Sequence, residues 1–153
     1  MSPAPERTWI EGPAGALEAI VEDPGNPGSS YAVVCHPHPL FGGTMDNKVV
    51  TTVARALHET GIPTVRFNFR GVGASAGAFD DGVGETADAD AVASWGGARW
   101  PGREAPPGAS CAVREFLASR RQSSIRSFAI LTRPLIRGGL AWLSAAGMHF
   151  PGR

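Results

Sequence analysis

The chain reads as an α/β protein: a parallel sheet flanked by helices, entered through an N-terminal hairpin and followed by an irregular C-terminal tail. Three features predict it. Residues 31–35 are a continuous apolar run, which suits a strand buried on both faces. Residues 49–57 place Val49, Val50, Val53, Ala54 and Leu57 at helical spacing. Residues 64–69 alternate Val65, Phe67 and Phe69 with Thr64, Arg66 and Asn68, as a strand does. Strand, helix and strand joined by short links make a right-handed crossover between parallel neighbours.

The elements follow in order. Two short apolar stretches, 8–10 and 16–21, flank Gly12, Pro13 and Gly15 and read as a hairpin. Residues 23–30 are rich in Gly, Pro, Asn and Ser and read as a turn. After the apolar strand, residues 36–44 form a loop. Asp46 or Asn47 caps the first helix, and Gly61 and Pro63 end it. Its Val and Thr content gives it modest propensity, so packing on a sheet must hold it. Residues 71–84 are a Gly/Ala/Asp loop. A second helix over 85–95 is expected to bury Ala87, Ala91, Val92 and Trp95.

Composition is globular, with 42% hydrophobic and 18% charged residues and a net charge of zero. The charge is uneven. Residues 1–103 hold twelve of the 14 acidic side chains, and the basic side chains of 104–153 are all Arg. Those arginines are spread without Lys and with little aromatic interleaving, which argues against nucleic-acid binding. Two cysteines, Cys35 and Cys111, do not make a disulfide framework. Residues 1–9 show no signal-peptide pattern, and the longest apolar stretch of the tail is too short to span a bilayer. No membrane association is expected, and a cytoplasmic location is the default.

The segment His36-Pro-His-Pro-Leu-Phe-Gly-Gly43 carries the most chemical information. It follows the first parallel strand, and ligands of open α/β sheets bind beyond the carboxyl ends of the strands. Pro37 and Pro39 stiffen the loop and remove two N–H groups. Gly42 and Gly43 let the backbone approach a ligand. The remaining donors near the strand end are the amides of His38 and Leu40, and a donor held rigidly there can stabilise an oxyanion.

This loop, followed by Met45-Asp-Asn-Lys48, resembles the α/β-hydrolase superfamily, most closely the small bacterial hydrolases with a His-Pro-His-Pro-x-x-Gly-Gly loop. The run Arg66-Phe-Asn-Phe-Arg-Gly-Val-Gly-Ala-Ser75 is similar to the Arg-Gly-x-Gly-x-Ser turn of many members. The likeness continues through Gly77, Phe79, Asp80, Gly82, Gly84 and Glu85 and covers about residues 1–103. It implies the front half of an α/β-hydrolase fold, a Ser–Asp–His triad and an ester-like small-molecule substrate. It implies no metal and no organic cofactor. His36, His38, Leu40, Gly42 and Gly43 become the oxyanion loop, and Arg70, Gly71, Gly73 and Ser75 a structural turn.

Other readings of these residues compete. His36 and His38 resemble half of a metal site, but no motif places His58 or His149 beside them. They can also simply hold the loop by hydrogen bonds. Ser75 sits in a literal G-x-S-x-G, yet an acidic loop rather than a helix follows it, so it lacks the strand-turn-helix of a nucleophile elbow. Gly71-Val-Gly73 departs from the dinucleotide fingerprint in spacing, and no helix opens at it.

Past residue 103 the likeness stops. Where the resemblance calls for an apolar strand, the sequence is Glu104-Ala-Pro-Pro-Gly108, and two prolines exclude a central strand. Ser110, in Gly-Ala-Ser-Cys-Ala, is the weak remaining nucleophile candidate, with Glu115 and His149 the only later carboxylate and imidazole. Short helices over 112–121 and 136–146 and a strand over 128–131 are the elements it suggests. The Arg/Ala/Gly/Pro/Ser-rich composition is that of GC-rich coding sequence read out of frame. Residues 104–153 are therefore expected to be a divergent or out-of-frame tail, poorly ordered. The expected protein is an esterase-like serine hydrolase by resemblance, truncated and catalytically incomplete. The alternative is a non-catalytic binding or scaffold protein using the pocket at 36–43. A poorly folded fragment with an open sheet edge is a third possibility.

Overall fold

The structure, a computed structural model, describes residues 3–25 and 30–103 and the backbone of 129–131. Five strands form one sheet in the order β1-β2-β4-β3-β5. The hairpin is β1 (Glu6–Gly12) and β2 (Gly15–Glu22), paired from Glu6 opposite Val21 to Gly12 opposite Gly15. β2 runs antiparallel to β4 (Thr64–Phe67), and β4 runs parallel to β3 (Ala32–Cys35). The expected crossover is present, and the sheet is mixed rather than wholly parallel.

Helix α1 (Lys48–Glu59) makes that crossover and packs on β3 and β4. The Asn47 side chain accepts the Val49 N–H at 2.9 Å, so Asn47 and not Asp46 is the cap. Asp46 pairs instead with Arg66. All four residues of β3 are buried, as a two-sided strand requires. β4 is buried throughout as well, including Thr64 and Arg66, the polar members of its alternating pattern. Arg66 is tolerated there because Met45 C=O, Asp46 and Glu22 surround its guanidinium.

Helix α2 (Val83–Arg99) packs on β1 and β3, and its buried face corrects the sequence expectation. The buried residues are Gly84, Glu85, Asp88, Ala89, Val92, Ala93 and Gly96; Ala87, Ala91 and Trp95 are only half-buried. Two carboxylates face inward because Arg70 pairs with Asp88 and the amides of Asp80 and Gly82 bond Glu85. Gly96 is on this face because a Cβ there would lie 2.4 Å from the Tyr31 ring, whose hydroxyl donates to Ala93 C=O. Ile10, Leu17, Val33, Cys35, Val65, Phe67 and Phe69 join Ala89 and Val92 in one core cluster.

β5 (Ala129–Leu131) lies antiparallel on the outer edge of β3, with Val33 opposite Leu131. A strand here was expected over 128–131, and it pairs with the edge that the fragment reading left open. The helices expected over 112–121 and 136–146 lie outside the described residues. No helix among the described residues is long and apolar enough to cross a membrane.

Candidate oxyanion loop

The chain leaves β3 through His36, which is fully buried. Its Nε2 accepts the Phe69 N–H at 3.1 Å, and its Nδ1 lies 2.6 Å from Pro37 C=O. A backbone N–H can only donate and a carbonyl can only accept. The ring is therefore the neutral tautomer with the proton on Nδ1. Burial drives its pKa down to about 4; the Pro37 bond opposes this shift and the neighbouring His38 adds to it. The ring also meets Phe69 edge-on, with centroids 4.8 Å apart. His36 thus joins the carboxyl end of β3 to the chain leaving β4.

Next comes a single 3-10 turn, Pro39–Phe41, which His38 caps. His38 Nδ1 accepts the Leu40 N–H at 3.2 Å, and its ring sits beside Phe41 and Phe79, with centroids 5.2 and 5.1 Å away. Phe41 and Gly43 give their amides to His38 C=O, and Gly42 gives its amide to Pro39 C=O. The donors expected at Leu40, Gly42 and Gly43 are thus turned inward, because the 3-10 turn closes on itself. No described residue accepts the His38 N–H. Gly43 is needed for close approach within the loop: a Cβ there would lie 1.9 Å from Pro37 O and 2.9 Å from His36 Nδ1.

The exit of the loop is clamped by β4 and the residue after it. Asn68 Oδ1 accepts the Met45 N–H at 2.8 Å, and Arg66 donates to Met45 C=O at 2.9 Å. Asn68 Nδ2 donates to Glu18 on β2. β4 stops at Phe67 because the next pair with β2 keeps one bond only: Asn68 N–H still reaches Glu18 C=O, but Glu18 N–H goes to Ser75 Oγ, and Phe69 N–H goes to His36. Arg66, Asn68 and Glu18 escape a sequence reading because their partners lie about 20 to 50 positions away. Their polarity inside an otherwise apolar strand is the available signal.

The turn at 70–77 is held in the same way. The buried Ser75 hydroxyl donates to Asn68 C=O at 2.7 Å and accepts the Glu18 N–H at 2.9 Å. Both bonds are to backbone, and no described histidine is hydrogen-bonded to it. Arg70 forms a two-point pair with Asp88, at 3.0 and 2.7 Å, and its own N–H donates to the same carboxylate. Asp88 is fully buried, and its hydrogen bond holds the Arg70 guanidinium above its ordinary pKa. Gly71 and Gly73 both have positive φ in this turn. Glu85, also fully buried, accepts the amides of Asp80 and Gly82 and closes the start of α2.

The structure therefore brings His36, His38, Gly43, Arg70 and Ser75 together around the ends of β3 and β4. Cys35 is buried on β3, and burial pushes its thiol well above the ordinary value. Ser94 lies exposed on α2 and bonds Asp90 C=O. His58 is half-buried on α1. Among the described residues no three His, Cys, Asp or Glu side chains are grouped to hold a metal ion. Ser110, Glu115 and His149 lie outside the described residues.

Comparison with known proteins places this geometry. No family model matches the chain. A curated relative, the uncharacterized protein RP471 of Rickettsia prowazekii, is 45% identical over 87 residues, which is 57% of this chain and 37% of the relative. An alpha-beta serine hydrolase homologue from Coxiella burnetii superposes with a TM-score of 0.62 and 52% identity, over 65% of this chain and 48% of that one. XC6422 from Xanthomonas campestris, described as an α/β serine hydrolase without lid, gives 0.59 and 46%, over 67% and 49%. A putative α/β hydrolase of unknown function from Agrobacterium tumefaciens gives 0.58 and 37%, over 63% and 44%. The chain thus spans about half the length of these solved structures. Its sheet and helices are part of an α/β-hydrolase fold, and these likenesses support the α/β serine hydrolase superfamily for this chain.

Proposed function

We propose that residues 36–43 are the oxyanion loop of an esterase-like serine hydrolase, and that this chain carries the loop without the nucleophile that would use it. One observation supports the reading most: the 3-10 turn after β3 uses the amides of Leu40, Phe41, Gly42 and Gly43 within the loop and leaves that of His38 without a described acceptor. In a complete serine hydrolase, the serine oxygen attacks an acyl carbon, a histidine takes the serine proton, and the carbonyl oxygen becomes an oxyanion. The His38 N–H is the donor for that oxyanion. His36 and Gly43 position it. No metal or organic cofactor enters this chemistry, the substrate is a small ester-like molecule, and the reading carries a cytoplasmic location with it.

Neither Ser75 nor Ser94 supplies a nucleophile, and Ser30 is buried at the entry to β3. The Ser75 hydroxyl is committed to two backbone groups, and Ser94 bonds its own helix. The sequence from 104 to 108 has no apolar strand to present another. The purified chain is therefore expected to give no turnover of short-chain p-nitrophenyl esters above the uncatalysed rate. Turnover that survives Ser75→Ala and disappears with Ser110→Ala would place the nucleophile in the tail and overturn the reading. Thermal stabilisation by a carboxylate or ester without hydrolysis supports instead a non-catalytic binding protein using the same loop.

A further inference from the structure

β1 is the outermost strand among the described residues, and β2 alone pairs with it. It runs for seven residues in continuous register, with no Pro, no Lys and no bulge to blunt its free edge. Which backbone groups point outward follows from β2. Glu18, opposite Trp9, accepts the Asn68 N–H at its C=O and donates its N–H to Ser75 Oγ, both at 2.9 Å. Ala16, opposite Glu11, accepts the Ala76 N–H at its C=O. Opposite residues in an antiparallel ladder exchange both hydrogen bonds or neither. Trp9 and Glu11 therefore turn their N–H and C=O away from β2, and the two-residue period adds Arg7.

The side chains of these same three residues share the solvent face. Arg7, Trp9 and Glu11 are exposed, Trp9 by 57%, whereas Ile10 is buried on the opposite face. Their order along the strand is self-complementary. A second β1 laid antiparallel, with Trp9 opposite Trp9, sets Arg7 opposite Glu11 and Glu11 opposite Arg7. All seven residues then overlap, and the outward amides of Arg7, Trp9 and Glu11 meet outward carbonyls. A shift of two residues sets Arg7 opposite Trp9 and loses both charge pairs. Arg7 also reaches Glu18 of its own chain at 3.0 Å, but its side chain is 65% exposed and has room for a second carboxylate.

We propose that two copies of this chain associate through β1, antiparallel, about a two-fold axis at Trp9. Such a contact uses the same patch on both copies and closes on itself. Its cross-strand pairs put opposite charges together, and like charges at those positions oppose it.

Sedimentation equilibrium on the full chain tests this, with Arg7→Glu and Glu11→Arg as variants. The wild-type chain is expected to dimerise. Each reversal sets like charges opposite one another at two symmetry-related places and is expected to raise the dissociation constant about tenfold or more. Glu11→Arg is the cleaner of the two, because Arg7→Glu also faces Glu18 within its own chain. An equimolar mixture of the two variants is expected to regain the dimer as a heterodimer, since one presents two carboxylates and the other two guanidinium groups. That regain also shows that both variants are folded. A monomeric wild-type chain, a dimer that neither reversal weakens, or a mixture that stays monomeric would each overturn the proposal.

Discussion

Replacing Arg70 with alanine is expected to destabilise the fold by about 3–5 kcal/mol, because it leaves a buried carboxylate without its cation. Asp88 is fully buried on α2, and Arg70 supplies three donors to it, two from the guanidinium and one from the backbone. The pair joins the chain just after β4 to the buried face of α2, so its loss acts on the loop at 70–77 and on the helix together. The pair as a whole need not stabilise more than an apolar substitute of the same volume. The double replacement Arg70→Met with Asp88→Leu is accordingly expected to recover much of the loss. Recovery stays incomplete because the Arg70 N–H loses its acceptor, at a cost of about 1–3 kcal/mol. Urea denaturation of the wild-type chain, the single variant and the double variant measures all three stabilities. A single variant that loses less than about 1 kcal/mol would mean that water reaches Asp88.

The second large effect is a dependence on pH that runs through His36. In the folded chain its pKa lies at about 4, against an ordinary value of 6.5. Between those values the unfolded chain binds a proton that the folded chain refuses, so stability rises with pH in that window. The contribution is complete above about pH 6.5 and is lost as pH falls towards 4. A shift of this size corresponds to roughly 3 kcal/mol. The geometry gives the reason: a proton on Nε2 removes the acceptor for the Phe69 N–H and puts a charge in an apolar enclosure. Urea midpoints of the wild-type chain and His36→Gln across pH 4 to 7 isolate this residue, because carboxylate titrations are common to both. The wild type is expected to show the steeper slope. Parallel slopes would mean that the ring is hydrated and titrates normally.

Much of the fold was legible because local patterns decide it. The apolar run at 31–35, the Asn47 cap and the helical spacing of Val50 and Ala54 need no distant partner, and each stands where the pattern placed it. The misread positions share one cause. Arg66, Glu85 and Asp88 are polar residues on buried faces, where the spacing of apolar residues alone does not place them. The partners of Arg66 and Asp88 are Asp46 and Arg70, 20 and 18 positions away, which only the folded chain brings near, whereas Glu85 bonds the amides of Asp80 and Gly82 at the start of its own helix. The loop at 36–43 was legible as a turn leaving a buried strand, from its prolines and paired glycines. The use of its amides was not, because it depends on the 3-10 turn that His38 caps.

We propose that residues 1–103 are the front half of a serine hydrolase scaffold and that residues 104–153 are read out of frame. The composition of residues 104–153 motivates it: seven arginines, no lysine and no apolar strand beside Ser110. Sequencing the coding DNA across codon 103 and translating the other two frames downstream tests it most directly. One of those frames is expected to encode an apolar strand followed by G-x-S-x-G, with an acid and then a histidine further on. If neither frame contains such a strand and elbow, the tail is this chain's own, and the claim is contradicted.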